Sequence, residues 1–337
     1  MDRYRGLDRV AQLAIAAAQQ TLKALPDYSA LGCVSVGSSR GATISLEKSI
    51  SDFAADPSKV PIDTSPKTTA GNLSSWVAQE CLAQRSPDER AAAIATVSTS
   101  MTCSSAFHSL LTSLAFVKSG LSPVALFGGA ESCLTPFTIA HLEALRIYAE
   151  GGVAWPCRPG GSKEGLANTV ALGEGAGTAL LLADDGSVCE GDLELLGIGW
   201  AIEETPSATG VSSDGLAFER AMAMALSSMP SGRRVDTVIA HAPGSIKGDE
   251  AELRAISRVF GDVMVCSTKH LTGHTYGASG MVSMALAQNL LLGGRWGGFP
   301  YQSRVSPFRV ERPEGVLINT AGFGGNCISV VLGAPQR

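Results

Sequence analysis

Apolar, strand-like runs alternate with helix-like stretches along this chain of 337 residues, and the order recurs in its two halves. Such alternation dictates mainly parallel sheets covered by helices on both faces. Residues 8–25 carry Val10, Leu13, Ala14, Ala17, Ala18 and Leu22 on one helical face. Residues 33–36 read as a strand ending in the turn Gly37-Ser38-Ser39-Arg40-Gly41, 66–84 as a helix through Trp76 and Val77, and 94–97 as a strand. Thr102 caps a predicted helix over 103–118, and a strand at 124–127 ends in Gly128-Gly129-Ala130-Glu131-Ser132. The stretch 151–172, rich in Gly, Pro and polar residues, reads as a long loop. Strands at 178–182 and 193–198 and a helix over 214–228 follow. The pattern then repeats: strand 235–240, helix 250–259, strand 264–266, helix 276–292, and strands 316–319 and 328–332. The expected architecture is one compact α/β unit of two pseudo-repeated halves, 1–185 and 186–337, with no linker or low-complexity segment.

Composition narrows the function classes. Hydrophobic residues make up 45% and charged residues 17%, ample for a large core. The longest apolar runs, such as Ala179-Leu180-Leu181-Leu182-Ala183, are too short to span a bilayer. Met1-Asp2-Arg3-Tyr4-Arg5 leads into an amphipathic stretch without a signal-peptide pattern, so a cytoplasmic location is expected. A net charge of −5 lacks the basic signature of nucleic-acid binding. None of the eight cysteines forms a CxxC pair or a zinc spacing, so no metal site is expected. Seven of them read as buried, reduced thiols.

The eighth is Cys103, in Thr102-Cys103-Ser104-Ser105-Ala106 at the predicted start of a helix. Free N–H groups and the helix dipole stabilise a thiolate there, and the thiolate is the attacking form. The chain has five histidines. His108 and His141 fall inside predicted helices, and His270 has no motif role. His241 ends a strand and is followed by a Gly-Ser turn, then Gly248-Asp249 and Glu252. His274 stands in Lys269-x-x-x-Gly273-His274-x-x-Gly277-Ala278-Ser279-Gly280, whose glycines allow sharp turns and close packing. A last segment, Gly322-Phe323-Gly324-Gly325-Asn326, completes the set. These reactive residues lie just past strand ends, where open α/β sheets place ligands.

In order and local sequence these segments resemble the β-ketoacyl-acyl-carrier-protein synthases, the Cys-His-His branch of the thiolase-fold condensing enzymes. The resemblance runs from about residue 30 to the end of the chain. It implies a thiolase-like fold and an acyltransferase of the 3-oxoacyl-[acyl-carrier-protein] synthase type. Such an enzyme condenses malonyl-carrier protein, with loss of CO₂, onto an acyl chain held by a cysteine. On that resemblance Cys103 carries the chain, His241 and His274 stabilise the enolate, and Lys269 orients the site electrostatically. The backbone N–H groups of Cys103 and Phe323 form the oxyanion hole, and Phe323 gates the acyl pocket. Ser245, Gly324 and Gly325 contact substrate. No metal or organic cofactor is implied, since phosphopantetheine arrives on the acyl carrier protein. The implied partners are that carrier protein and a second subunit, either a copy or a related synthase chain.

The sequence also departs from the family. The usual Gly-Thr-Gly-Thr after the first histidine is Ala242-Pro243-Gly244-Ser245, so a hydroxyl and an N–H give way to proline. Ser283 stands where a glutamate usually partners the lysine, which predicts a Lys269 short of its charge partner. An Arg-Asp-Gly stretch gives way to Cys157-Arg158-Pro159-Gly160-Gly161-Ser162-Lys163-Glu164, and Asn326-Cys327 replaces Thr-Asn. No strand precedes the segment matching Asp2–Leu25, which predicts an exposed sheet edge or an exposed apolar helix face. These departures point to specialised fatty-acid or polyketide biosynthesis, with polyene or aryl-lipid products as the expectation from overall resemblance. The alternative is a non-catalytic partner subunit like the chain-length factors. Those have usually lost the cysteine, which this chain retains. A third reading is a thiolase or a one-histidine starter synthase; thiolases use a late second cysteine, but Cys327 lies outside a Cys-x-Gly turn and His274 stands in a motif of the two-histidine branch. A dimer is expected from the resemblance and from the apolar strand at 124–127.

Overall fold

Nine strands fall into two separate sheets among the described residues of the computed structural model. Described are all residues except 1, 26, 70–71, 87–92, 152–154, 161–166, 185, 188, 206, 208, 211–212, 306–307 and 336–337, and the side chain of Asp2. The chain divides into two compact units. Unit 1 comprises Met1–Thr138, Glu174–Asp185 and Thr275–Met281, and unit 2 the remainder.

Unit 1 opens with α1 (Arg9–Thr21), capped by Asp8, whose carboxylate accepts from Val10 N at 3.0 Å. Val10, Ala14 and Ala18 fall every fourth residue and are buried, the inward stripe that the sequence pattern predicted. Then come β1 (Leu31–Gly37), α2 (Thr43–Ala55), α3 (Thr64–Thr68), α4 (Asn72–Gln84), β2 (Ala95–Thr99), α5 (Ser105–Lys118) and β3 (Val124–Glu131). After α6 (Pro136–Ala144), which passes into unit 2 at Ile139, β4 (Gly175–Leu182) returns to the sheet. The order is β2-β1-β3-β4, with β1 parallel to β2 and β3, and β4 antiparallel to β3. Leu31, Val34, Val36 and Leu126 of the sheet share one core with Val10, Ile15 and Leu22, and with Val77 of α4.

Unit 2 contains β5 (Glu194–Ile202), α7 (Leu216–Ser227), β6 (Thr237–Ile239), α8 (Ile246–Phe260), β7 (Met264–Cys266) and α9 (Lys269–Thr272). It ends with α10 (Ser279–Leu291), β8 (Gly315–Gly322) and β9 (Asn326–Gly333), α10 taking its first residues from unit 1. Its sheet order is β5-β9-β8-β6-β7, with β6 parallel to β7 and β8, and β9 antiparallel to β8 and β5. Phe218, Ala221 and Met222 of α7 pack with Ala255 and Ile256 of α8 against Val238, Val265, Leu317 and Val331.

The α/β class and the helix–strand alternation hold, and each sheet adds antiparallel pairing to its parallel half. Three local readings change. The glycines 128–129 do not end a strand: β3 runs on to Glu131. A Cβ at Gly129 would stand 2.5 Å from Gly277 O and 2.7 Å from Ala106 Cβ, so glycine there permits a close approach within the strand. Helix α2 had no counterpart in the sequence reading. Thr43 is its one buried described residue, while Leu46, Ile50 and Phe53 lie exposed, so no core-facing stripe marks it. Finally, β3 is an interior strand buried along its length, so its apolarity serves the core of unit 1 and not a subunit contact. Parts of the predicted loop 151–172, the segment Gly161-Ser162-Lys163-Glu164 and the helix opening at 70–71 lie outside the described residues. β2 and β4 are the outer strands of this sheet, and α1 reaches β4 where Thr21 Oγ1 donates to Thr178 O at 3.0 Å.

Candidate active site

The turn after β6 is built by two acids of α8. Glu252 accepts from His241 N at 2.8 Å and Ala242 N at 2.7 Å, and Asn319 Nδ2 of β8 donates to it at 3.0 Å. Asp249 accepts from Gly244 N, Ser245 N and Gly160 N at 3.0–3.2 Å. Spaced three apart on one helical face, the two carboxylates take up the N–H groups that the turn leaves orphaned. Burial pushes both upward in pKa, Asp249 to about 7. Gly244 completes the turn with φ of 92°, and a Cβ there would lie 2.5 Å from Thr169 Oγ1.

His274 follows the left-handed Gly273 and is clamped on its backbone. Its N–H donates to Ala171 O at 2.8 Å, and its carbonyl accepts from Gly173 N at 3.1 Å. The two segments bring His241 and His274 together edge to face, ring centroids 5.2 Å apart at 84°. Both are buried, at 7% and 4% exposure. Burial, and after it the positive charge of Lys269, drives both well below the ordinary histidine pKa, with His274 adding to the effect on His241. Both rings are therefore neutral at pH 7, each with one N–H to donate. His241 Nδ1 has no hydrogen-bond partner among the described residues.

Lys269 is buried at 3% exposure on α9. Its charge opposes the burial-driven rise of the Glu252 carboxyl. Ser283, where an acid was expected to be missing, is buried on α10. Ser245 stands at the N-cap position of α8 without a side-chain cap, and its N–H donates to Asp249. Phe323, Gly324 and Gly325 form the β8–β9 turn, with Asn326 Nδ2 donating to Phe323 O at 3.0 Å.

Cys103 belongs to unit 1 and is 6% exposed. The helix after it starts at Ser105, two residues later than predicted, because Thr102 has φ of 50°, outside the helical region. Ser105 Oγ clasps this turn, accepting from Met101 N at 2.9 Å and donating to Thr102 O at 2.6 Å. Cys103 thus sits at the tip of a strained turn facing the first turn of α5.

The remaining candidates have structural explanations. His270 is ringed by Trp155, Phe299 and Tyr301, with centroids 5.6–6.4 Å away. His108 Nδ1 lies 3.1 Å from Ser104 O. Cys327 is buried within β9 and pushed far above an ordinary thiol pKa by burial and nearby glutamates, the opposite of an activated nucleophile. Among the described residues no three His, Cys, Asp or Glu side chains gather in a metal-holding group, and no helix is long and apolar enough to cross a membrane. The sequence reading gave no role to Asp249, Glu252, Asn319 or Glu131. The signal for Glu131 was a lone acid ending an otherwise apolar strand.

The sequence matches the family described as beta-ketoacyl synthase, N-terminal domain, over residues 1–185, and the corresponding C-terminal domain over 194–292. It is 32% identical over 195 residues to nodulation protein E of Rhizobium leguminosarum bv. trifolii, covering 54% of this chain and 45% of that protein. To 3-oxoacyl-[acyl-carrier-protein] synthase 2 of Vibrio cholerae serotype O1 it is 27% identical over 262 residues, covering 70% of this chain and 61% of that one. The chain thus matches between about half and three fifths of the length of these relatives. Among solved structures, a beta-ketoacyl synthase from Burkholderia phymatum STM815 superposes with a TM-score of 0.83 at 21% identity, covering 99% of this chain and 84% of that one. At that identity the likeness concerns the fold.

Proposed function

The chain belongs to the β-ketoacyl synthase family, and from that premise we propose that it condenses malonyl-carrier protein with an acyl chain bound to Cys103. The observation that carries this reading is the buried, neutral His241–His274 pair. The Cys103 thiolate attacks an acyl thioester, forming a new thioester and releasing the carrier thiol. Loss of CO₂ from the malonyl group leaves an electron pair as an enolate. Its oxygen is held by one N–H from each imidazole, donors fixed in a water-poor setting before charge develops. The enolate carbon attacks the Cys103 thioester, a carbon–carbon bond forms, and the sulfur leaves as thiolate. Charged imidazolium rings would be stronger donors, but burial and the positive Lys269 disfavour them.

In this reading Lys269 keeps the pair neutral, and the N–H groups of Cys103 and Phe323 take the tetrahedral oxyanion. Ser245, Gly324 and Gly325 lie along the phosphopantetheine arm, which the acyl carrier protein supplies; the protein holds no cofactor of its own. Pro243 removes one hydroxyl from that path, which supports a specialised fatty-acid or polyketide substrate. The protein works as a dimer with a copy or a related synthase subunit. Its place is the cytoplasm, where Cys103 stays reduced.

The test is intact-mass spectrometry after incubation with acyl-loaded carrier protein. Wild type is expected to gain one acyl mass, and Cys103→Ala none. A folded wild type that takes up no acyl group would sink the reading in favour of a non-catalytic partner subunit.

A further inference from the structure

Tyr276 adopts a backbone conformation that tyrosine rarely takes. Its φ is 41°, in the left-handed region that costs a residue with a Cβ about 1–2 kcal/mol. Its side chain is nonetheless buried, at 7% exposure. The turn is held from two sides. Gly277 N donates to Glu131 Oε2 at 3.1 Å, and the same carboxylate takes Ser38 Oγ, Ser39 N and Arg40 N at 2.7–3.3 Å. Gly280 lies against the Phe107 ring and Ala106, so that a Cβ there would meet both at 3.1–3.3 Å. Residues 275–281 are thereby pinned to the first turn of α5, directly after Cys103. Thr102, on the other side of Cys103, is also left-handed. Strain of this kind persists only where the surroundings impose it, and it clusters at functional sites.

The phenol belongs to the same unit as the buried thiols of Cys103 and Cys133. Burial first, then the charge that either thiol would carry, raises its pKa above the ordinary tyrosine value. It therefore stays protonated at neutral pH and available as a donor.

We propose that the Tyr276 hydroxyl donates a hydrogen bond to the Cys103 sulfur and acts as a positioning residue for the thiolate. The bond steadies the sulfur for attack. In the condensing step, when the carbon–sulfur bond breaks and the electron pair returns to sulfur, it favours departure. The second effect rests on the synthase reading; the first does not.

Iodoacetamide alkylation of Cys103, followed by peptide mass mapping across pH, tests the bond in the full chain. Tyr276→Phe keeps the ring and removes the donor. Its alkylation midpoint is expected to move up about one pH unit, with roughly tenfold slower alkylation near neutral pH, because the thiolate is the reactive form. The charges of Cys133, Glu131 and Arg40 also act on the phenol. Glu131, raised by burial to about 7, titrates in the same range, so the difference between the two proteins is the readout. Should the Phe variant fail to fold, 3-fluorotyrosine labelling keeps the shape and strengthens the donor. The midpoint is then expected to move down. An unshifted profile in a folded protein of either kind overturns the proposal. Failure of wild type to accept an acyl group counts against the synthase reading alone and leaves this comparison intact.

Discussion

At the scale of single residues, the candidate site depends on two histidines kept uncharged. Their native pKa values are depressed by burial and by Lys269, whereas in the unfolded chain they titrate near 6.5. As pH falls, the unfolded chain therefore binds more protons than the native one. Stability present above pH 6.5 is lost on acidification. Asp249 acts oppositely: raised to about 7, it contributes stability at low pH that is lost as pH rises through that value. It is common to wild type and a His241→Gln variant, so it cancels between them. Between about pH 7.5 and pH 5.5 the melting temperature of wild type is expected to fall more steeply than that of the variant. Parallel curves would show that His241 is not held neutral. The type and order of Cys103, His241 and His274 were legible in the sequence, because reactive residues in small-residue turns stand out from an apolar background. The acids that hold them were not, because their importance lies in backbone N–H groups that only the folded turn brings to them.

At the scale of elements, the loop from β6 to α8 decides where His241 sits. Gly244 combines φ of 92° with a site that a Cβ would share with Thr169 Oγ1. Gly232 has φ of 81° but open space around a Cβ. Gly232→Ala isolates the left-handed strain, about 1–2 kcal/mol in urea unfolding. Gly244→Ala is expected to cost clearly more and to lower acyl transfer as well, since the displaced turn carries His241. Equal losses for the two would mean that the close approach at Thr169 yields without cost. The helical periodicity of α1 and α8 was readable because each has an inward face. Helix α2 was not, because its apolar residues face outward. The start of α5 was misplaced by two residues because strain at Thr102 comes from its surroundings and leaves no mark in composition.

At the scale of the whole molecule, the two units repeat one strand order, β2-β1-β3-β4 in the first and β7-β6-β8-β9 in the second, which adds β5 outside β9. The dimer expected of the synthase is no longer supported by β3, which is interior to its sheet. Light scattering at micromolar concentration is expected to give twice the 34.7 kDa chain mass, and a monodisperse monomer would count against it. The amino-acid sequence by itself determined the α/β class, the alternation of elements, the family and the chemical types at the candidate site. Each of these follows from local periodicity or from short motifs, which survive in one dimension. Only the tertiary structure decided the depressed pKa values of the histidine pair, the clasp of Glu252 and Asp249 on the His241 turn, and the strained burial of Tyr276. Those depend on desolvation, on charge across distant segments and on packing that overrides local preference, none of which is defined until the chain has folded.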